Sequence, residues 1–412
     1  MKYDIVVIGA GITGLTSAYH LKKNEPGLKI LVVDKFQTFS QGNTAKSAAA
    51  FRDFYTIKEN QVMAQASINF YKHLQEEMGV NLGMKFTGYL FLFDHEVGKD
   101  FVSKYPHSRL VDEDMSEMFN LNIDSDTHEV MGIDSIKSAV IDSNAGIIEP
   151  DLLSKWYYEQ LLQMGVEFRF NTLVKKMVLA PDNSLNYPGE PFNWQKSGIK
   201  YIETEKGIIE SDFYVLCTDV WTTSLLNPIG IDSHLRPKKR QIFQITSPEI
   251  KGIVKKNIFN DSGVFPFTIF PTGVYMRPYP EASAFWTSLA DELNRDFSFT
   301  EKPEPEPDFF TYNIKPVLDN YFPAAKNSTI TSSWAGYYSY NTIDFAPYIF
   351  NDINLIVVSG STGSGIMKGD SIGRVVASRY HSSKSTRLYG GPRIKNTYSG
   401  FYRSEKIEDM IL

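Results

Sequence analysis

Apolar residues follow three patterns along this chain. Runs without polar alternation, at Ile5–Ile8, Lys29–Val33, Phe213–Trp221 and Asn354–Ser359, predict strands buried on both faces. Helical spacing appears from Ile12 to Lys23 and again over residues 57–80, where Val62, Ala66, Phe70 and Leu74 share one side. Aromatic-rich runs at Gly88–Phe93, Pro237–Ile245, Gly263–Arg277 and Ala284–Leu289 predict strands of a second kind of sheet. Between them, Ala145–Lys176 reads as a turn, an acid and a proline opening a helix, and a strand at Val166–Phe170. Lys200–Glu205 and Gly207–Glu210 read as a hairpin, and 181–200 as a loop. Residues 94–140 look charged and irregular, with the acidic run VDEDMSE on a solvated surface. EKPEPEPD, at 301–308, reads as a surface connector broken by proline. A last helix runs to about Tyr380, and a polar tail ends in Ile411–Leu412.

The length of 412 residues suits two domains rather than one core. A net charge of −6 and a pI near 5.7 argue against a general nucleic-acid binder. The one cysteine, Cys217, rules out an internal disulfide framework and any cysteine-cluster metal site. It lies in the apolar run YVLC and reads as a small core residue. The 7 histidines show no H-x-x-x-H pair, so no metal is expected. No apolar run is long enough to span a bilayer. The first strand begins at residue 3, so a signal peptide is not expected, and a reducing, cytoplasmic setting is.

The chemistry starts at the first turn. Gly9, Gly11 and Gly14 follow a strand at G-x-G-x-x-G spacing and open a helix, and Asp34 ends the next strand. Gly9 permits the tight turn, Gly11 lets a pyrophosphate approach the backbone, and Gly14 lets the helix pack against the sheet. The helix N-terminus offers N–H donors to phosphates, and Asp34 can accept from ribose hydroxyls. Val174 lies where the chain would re-enter this sheet. Gln41–Thr56, QGNTAKSAAAFRDFYT, has the small residues that let a flat ring or a phosphate come close, with donors on Thr44, Lys46 and Ser47 and a fixed charge on Arg52. It also fits a mobile loop joined to a small-residue helix. A second glycine-rich turn, Gly360–Gly373, again lies between a buried strand and a helix. Two such sites exceed the needs of one NAD. A flavin uses one helix dipole at its pyrophosphate and another at its N1–C2=O edge, where reduction places negative charge.

The expected fold is therefore α/β with an α+β second domain. A Rossmann-like FAD-binding domain with a central parallel sheet (1–85, 142–222 and 330–412) interleaves with a smaller substrate domain on a mostly antiparallel mixed sheet (86–141 and 223–329).

GAGITGLTSA, GNTAKSAAAFR, AGIIEPDLLSKW, VLCTDVWTTSLL, WAGYYSYNTID and SGSTGSGIMKGDSIGR together resemble the FAD-dependent oxidoreductases of the D-amino-acid oxidase and sarcosine oxidase superfamily. WAGYYSYNTID and the ending FYRSEKIEDMIL look like one branch of it. That branch holds archaeal dye-linked amino-acid dehydrogenases of the L-proline type and a mitochondrial FAD-dependent oxidoreductase-domain protein linked to complex I assembly. The resemblance implies FAD and hydride transfer from a C–H next to nitrogen to flavin N5. It implies that Gly9, Gly11, Ile12, Thr13, Gly14, Asp34 and Lys35 bind the ADP half. Thr44, Ala45, Lys46, Ser47 and Ala48 would lie along the pyrophosphate and flavin. Val174 and Thr218 would also contact the cofactor, Val174 on the adenine side. Gly363, Ser364, Gly365, Ile366 and Met367 would border the flavin and substrate cavity. Arg52 falls where sarcosine oxidases grip the substrate carboxylate with a guanidinium.

Three departures shape the expectation. The residues that attach flavin covalently in some relatives have no match, which implies non-covalent FAD. Tyr275 stands where sarcosine oxidases carry a lysine that promotes reaction with oxygen, which favours a dehydrogenase; Arg277 would substitute under a shifted register. Met367 aligns with a second carboxylate-binding lysine, and Lys368 follows one position late. The implied substrate is a small amino acid or N-methyl amino acid, with Tyr275 and Tyr338 walling the cavity. The implied acceptor is a quinone, another flavoprotein or a dye-like compound, through which the protein would sit in the cytoplasm or at the membrane periphery. An oligomer fits as well as a monomer. The rivals are a 2-hydroxy-acid or glycerol-3-phosphate dehydrogenase on the same fold, and an assembly factor that holds FAD without turnover.

Overall fold

The computed structural model describes residues 2–396; FYRSEKIEDMIL and Ile411–Leu412 lie outside the described residues. The sequence's unalternating runs become the centre of one eight-stranded sheet. Its main path runs Tyr348–Asp352, Leu355–Ser359, Gly207–Leu216, Tyr3–Ile8, Ile30–Val33, Glu167–Arg169. Along this path every pairing is parallel except the Tyr348–Asp352 edge. Both faces are covered, as a run without polar positions requires. Ile5 and Val7 point into the core shared with the long helices, while Val6 and Ile8 point into the opposite core. Strands Val174–Pro181 and Ser197–Thr204 extend the sheet as an antiparallel flap on Gly207–Leu216.

Helix Ile12–Asn24 crosses from the first strand to the second, and helix Gly365–Tyr380 lies against it. Their contact is made by glycine. A Cβ on Gly373 would lie 2.4 Å from the Thr16 carbonyl oxygen, and one on Gly369 would lie 3.1 Å from Ile12 Cγ1. Spaced four apart, both glycines fall on one helix face. Asp370, buried beside them, accepts from His20 at 2.7 Å, Tyr157 at 3.2 Å and Arg374 at 2.6 Å. Helix Lys58–Glu76 closes the layer, with Tyr71 donating to the Ile366 carbonyl at 3.0 Å.

The second sheet is ordered Thr329–Asn341, Leu235–Thr246, Ala284–Leu289, Val274–Tyr279, Phe267–Ile269, Tyr89–Phe93, Ser138–Asp142, Ser108–Leu110. It is antiparallel apart from one parallel pair, Phe267–Ile269 with Tyr89–Phe93. Alternation sorts its faces. Leu90, Leu92, Val274 and Met276 pack under the Pro307–Tyr321 helical segment, and Tyr89, Phe91, Phe267 and Tyr275 face the other way.

Several segments differ from the sequence expectation; Thr329–Asn341, expected within the 330–412 part of the FAD-binding domain, pairs with Leu235–Thr246 in the second sheet. Residues 94–140 hold structure in pieces too short for periodicity to reveal. One is the seven-residue helix Ser125–Met131, capped by Asp124 (accepting from Thr127 N–H at 2.8 Å) and stopped by Gly132 in the left-handed region. The 301–308 stretch is anchored rather than merely solvated. Glu306 takes two guanidinium bonds from Arg295, each 3.0 Å, plus bonds from Gln241 and Lys239. These partners, Arg295 foremost, pull its carboxyl down to about 2.

Substituting Gly373 by Ala is expected to cost about 2 kcal/mol or more, because the new methyl meets backbone that cannot yield. Gly98→Ala is the control, since its Cβ would meet nothing within 4 Å. Urea midpoints that fall together, or not at all, would disprove the close-contact account.

Candidate functional site

A long cavity lies at the carboxyl ends of the parallel strands, between the first sheet and the aromatic face of the second. The sheet order changes direction at Tyr3–Ile8, which has Ile30–Val33 on one side and Gly207–Leu216 on the other. Open α/β sheets bind ligands at such a switch point. The lining begins at Asp34 and Lys35, passes Gly9, Gly11, Thr44 and Ser47, and ends at Gly363–Lys368 and the tyrosines of the second sheet.

At the first end, Gly9 has φ +105°, and a Cβ there would lie 2.4 Å from the Cys217 carbonyl oxygen. A Cβ on Gly14 would fall 1.9 Å from the Gly9 carbonyl oxygen, so this glycine seats the helix on the turn. Gly11 is the N-cap of Ile12–Asn24, and the Thr44 hydroxyl accepts from Ile12 N–H at 3.2 Å. Asp34 accepts from Ala10 N–H at 2.6 Å and from Phe36 N–H at 2.8 Å. Burial pushes its carboxyl up, and those two donors only partly offset this. Further donors, such as a ribose diol, would complete its hydrogen bonding.

The loop after Asp34 forms no helix and is tied to the second sheet by hydrogen bonds. Trp334 donates to the Lys46 carbonyl at 3.1 Å, Asn43 accepts from Tyr337 N–H at 3.0 Å, and Asn43 donates to Asp219 at 2.8 Å. It ends in the two-residue strand Ala50–Phe51, which hands Arg52 to the cavity wall. At the other end, Ser364 holds the N-cap position of Gly365–Tyr380 without a side-chain capping bond, and Gly363 has φ +81°. A Cβ on Gly363 would come 2.4 Å from Tyr338 Cζ, so the turn is shaped to let that ring in.

Around Arg52 the wall is aromatic. Tyr55, Tyr89, Tyr275 and Tyr338 line the cavity, and the last three carry hydroxyls that burial pushes up, so they stay neutral near pH 7. Arg52 is 3% exposed and donates to the Phe54 carbonyl. Its guanidinium carbon lies 4.5 Å from the Tyr55 ring centroid, and Lys368 Nζ lies 4.1 Å from the same centroid. The Tyr55 hydroxyl reaches Met367 Sδ at 2.8 Å.

Most residues proposed from sequence meet here. Ile12, Thr13, Lys35, Thr44, Lys46, Ser47, Ala48, Val174, Thr218, Ser364, Gly365, Ile366 and Met367 line the cavity, with Gly9, Gly11, Asp34, Gly363, Arg52, Tyr275 and Tyr338. Gly14 and Ala45 do not. Gly14 is inside the helix contact, and Ala45 is exposed, its N–H donating to the Ser40 carbonyl at 3.1 Å. Arg277 is also outside the lining, fully buried and paired with Glu149 at 3.1 Å. Sequence reasoning missed Tyr55, Tyr89, Asp219 and Arg240. Arg240 lines the cavity beside Tyr338, its carbon 5.1 Å from that ring, and is held by Glu292 at 2.5 Å and Tyr340 at 2.6 Å. The alternation of LRPKKRQI, with Arg240 and Ile242 on one face, was the available signal. Among the described residues no cluster could hold a metal ion, and no helix is long and apolar enough to cross a membrane.

Two helix N-termini, a glycine turn, a buried carboxylate at one end and an aromatic chamber at the other fit an extended FAD. Comparison with known proteins agrees. Residues 4–379 match the family described as DAO, FAD dependent oxidoreductase. FAD-dependent oxidoreductase domain-containing protein 1 from Xenopus laevis is 24% identical, over 91% of this chain and 78% of that protein. Monomeric sarcosine oxidase from Bacillus sp. (strain B-0618) is 23% identical, over 91% of each. The crystal structure of L-proline dehydrogenase from P. horikoshii superposes with a TM-score of 0.73 at 22% identity, covering 98% of this chain and 99% of that one.

Replacing Asp34 with Ala is expected to weaken FAD binding by about 10- to 100-fold, the worth of charge-assisted hydrogen bonds to a buried carboxylate. Fluorescence titration of the apoprotein with FAD measures this. An unchanged Kd would remove the ribose assignment from Asp34.

Proposed function

The chain belongs to the FAD-dependent oxidoreductase family matched over residues 4–379, and from this premise we propose that it oxidises the C–N bond of a small amino acid or N-methyl amino acid. The observation on which this rests is the buried Arg52 guanidinium in a chamber of neutral tyrosines at the second helix N-terminus. A planar, permanently charged fork there suits a carboxylate, and the aromatic walls suit a small apolar body. The names of the relatives, sarcosine oxidase and L-proline dehydrogenase, support the same class of substrate.

Bound FAD supplies the two-electron hydride acceptor. Asp34 and the Gly9–Gly14 turn hold its ADP half, and the Gly363–Met367 turn borders its ring. Arg52 fixes the substrate carboxylate, with Lys368 beside it on the same tyrosine ring. Tyr89, Tyr275 and Tyr338 exclude water; with their hydroxyls held protonated, none serves as a base near pH 7. The substrate therefore enters with a neutral amine whose lone pair expels the hydride, leaving an iminium ion that water hydrolyses.

The same geometry favours a dehydrogenase. Tyr275 supplies no charge to the chamber, and Arg277 is engaged with Glu149 outside its lining. Arg240 is a cation in the wall, but Glu292 and Asp291 offset it. The electrons then pass to a quinone, a dye-like acceptor or another flavoprotein. Cys217 is the one cysteine, and burial pushes its thiol up to about 12, so it is a poor nucleophile. No histidine lines the cavity among the described residues. FAD is accordingly held without a covalent bond.

Under anaerobic mixing, one of L-proline, sarcosine, glycine or a D-amino acid is expected to bleach the flavin absorbance. Recovery in air should be slow. No bleaching by any of them would move the reading to hydroxy acids or to a protein that holds FAD without turnover. Arg52→Lys should raise KM by about tenfold or more while kcat changes little. Equal loss in both would mean that Arg52 is not a ground-state carboxylate anchor. Acid precipitation should leave all the flavin in the supernatant; flavin pelleting with the protein would mean a covalent link.

A further inference from the structure

Behind Arg52 lies a pair of acids that the proposed reaction does not use. Asp53 follows Arg52 directly and is 3% exposed; Asp142, at the end of strand Ser138–Asp142, is 0% exposed. Their side chains are within hydrogen-bonding reach of each other. Asn144 ties both into one unit: its side chain donates to Asp53 Oδ2 at 2.8 Å and its N–H to Asp142 Oδ1 at 3.0 Å. Asp142 Oδ2 is buried and receives no donor from the other described residues. Two ionised carboxylates in contact repel, and a buried acceptor without a donor is costly. One proton held between the two carboxyls relieves both problems.

We propose that Asp53 and Asp142 act as a one-proton carboxyl pair that sets the net charge behind Arg52, and so makes the site's grip on a carboxylate depend on pH. This rests on the reading of Arg52 as the carboxylate anchor. With one proton the pair carries a single negative charge, which offsets Arg52. With none it carries two, and an incoming carboxylate is held less tightly by Arg52. The charged and titratable groups facing the pair come from three sides. Arg52 adjoins it in the chain and favours the charged form of Asp142. His107, from the segment before strand Ser108–Leu110, has Nε2 3.9 Å from Asp53 Oδ2. Tyr89 sits opposite Asp142 in the strand pairing, with its ring in the cavity wall. Burial first, and then the Asp53 charge, push Asp142 up to about 7; burial also raises Asp53. The change in charge therefore falls in the neutral range. The proton is held most firmly by Asp142, because Asp53 is the acid with a side-chain amide donor. Asp53 and Asp142 are positioning residues, since they act on substrate only through Arg52.

The test is titration of the FAD-loaded protein with propionate, a carboxylate without an amine, followed by perturbation of the flavin spectrum. In the unaltered protein the Kd is expected to rise by about tenfold between about pH 6 and about pH 8. In Asp142→Asn, which keeps the shape and removes the proton exchange, the Kd should be flat over that range. Asp53→Asn, which breaks the pair from its other side, should flatten it too. His107→Gln should leave the slope in place. A slope that survives in both Asn variants, or one that vanishes in His107→Gln, overturns the proposal. If propionate perturbs the flavin at no pH, the carboxylate-anchor reading falls and takes this inference with it.

Discussion

The site depends on a contact between two helix backbones. Ile12–Asn24 and Gly365–Tyr380 start at opposite ends of the cavity, yet both must direct their N-terminal donors into it. Gly369 and Gly373 let them touch, because at Gly373 a single methyl would strike the Thr16 carbonyl. Close approach by itself does not fix register. The buried Asp370 does, through His20 on one helix, Tyr157 on a second and Arg374 on its own. Burial lowers the tendency of His20 to take a proton, and Asp370 opposes that. His20 and Arg374 hold Asp370 in its charged form despite complete burial. A network this fully partnered orders the interface more than it stabilises it.

The second sheet solves a different problem. A substrate chamber has to be dry, yet contain fixed charge. Strand alternation delivers this by sending Leu90, Leu92, Val274 and Met276 to one core and Tyr89, Phe91, Phe267 and Tyr275 toward the cavity. The aromatic face supplies area without charge. Besides Arg240 on the sheet itself, charge comes from outside it, on the Ala50–Phe51 loop and on the first turn of Gly365–Tyr380. Because Arg52 and Lys368 meet over one ring, Tyr55, their placement depends on the segment after Ala50–Phe51 docking on the start of helix Gly365–Tyr380.

What could be read from the sequence follows from range. The glycine turn, its helix and Asp34 form a unit of about thirty residues, and local spacing specifies it. The buried runs gave the parallel sheet for the same reason. Tyr55 and Tyr89 could not be read, because a tyrosine at the end of a loop or the start of a strand looks the same facing a core or a cavity. Arg240 lay in a strand read for its apolar residues, and its partners Glu292 and Tyr340 are 52 and 100 positions away. Thr329–Asn341 was grouped with the glycine-rich C-terminal block, and it pairs with Leu235–Thr246 in the second sheet. The seven-residue helix at Ser125 has no buried residue, so no periodicity marked it.

The charge pattern of the chamber bears on the state of the substrate. Arg52 and Lys368 are cations that line it near one tyrosine, while Asp53 and Asp142 are buried outside its lining. On the proposed reading, the carboxylate end of an amino acid meets cations and the nitrogen end meets aromatic faces and neutral hydroxyls. An ammonium placed there would be repelled by Arg52 and Lys368, which favours the free amine. Hydride loss from the α-carbon requires that free amine. The protein thus needs no basic side chain at the reacting carbon. On that reading the cations that fix the carboxylate also shift the amine toward its reactive form, and the proposed acid pair beside Arg52 would set how strongly they do so.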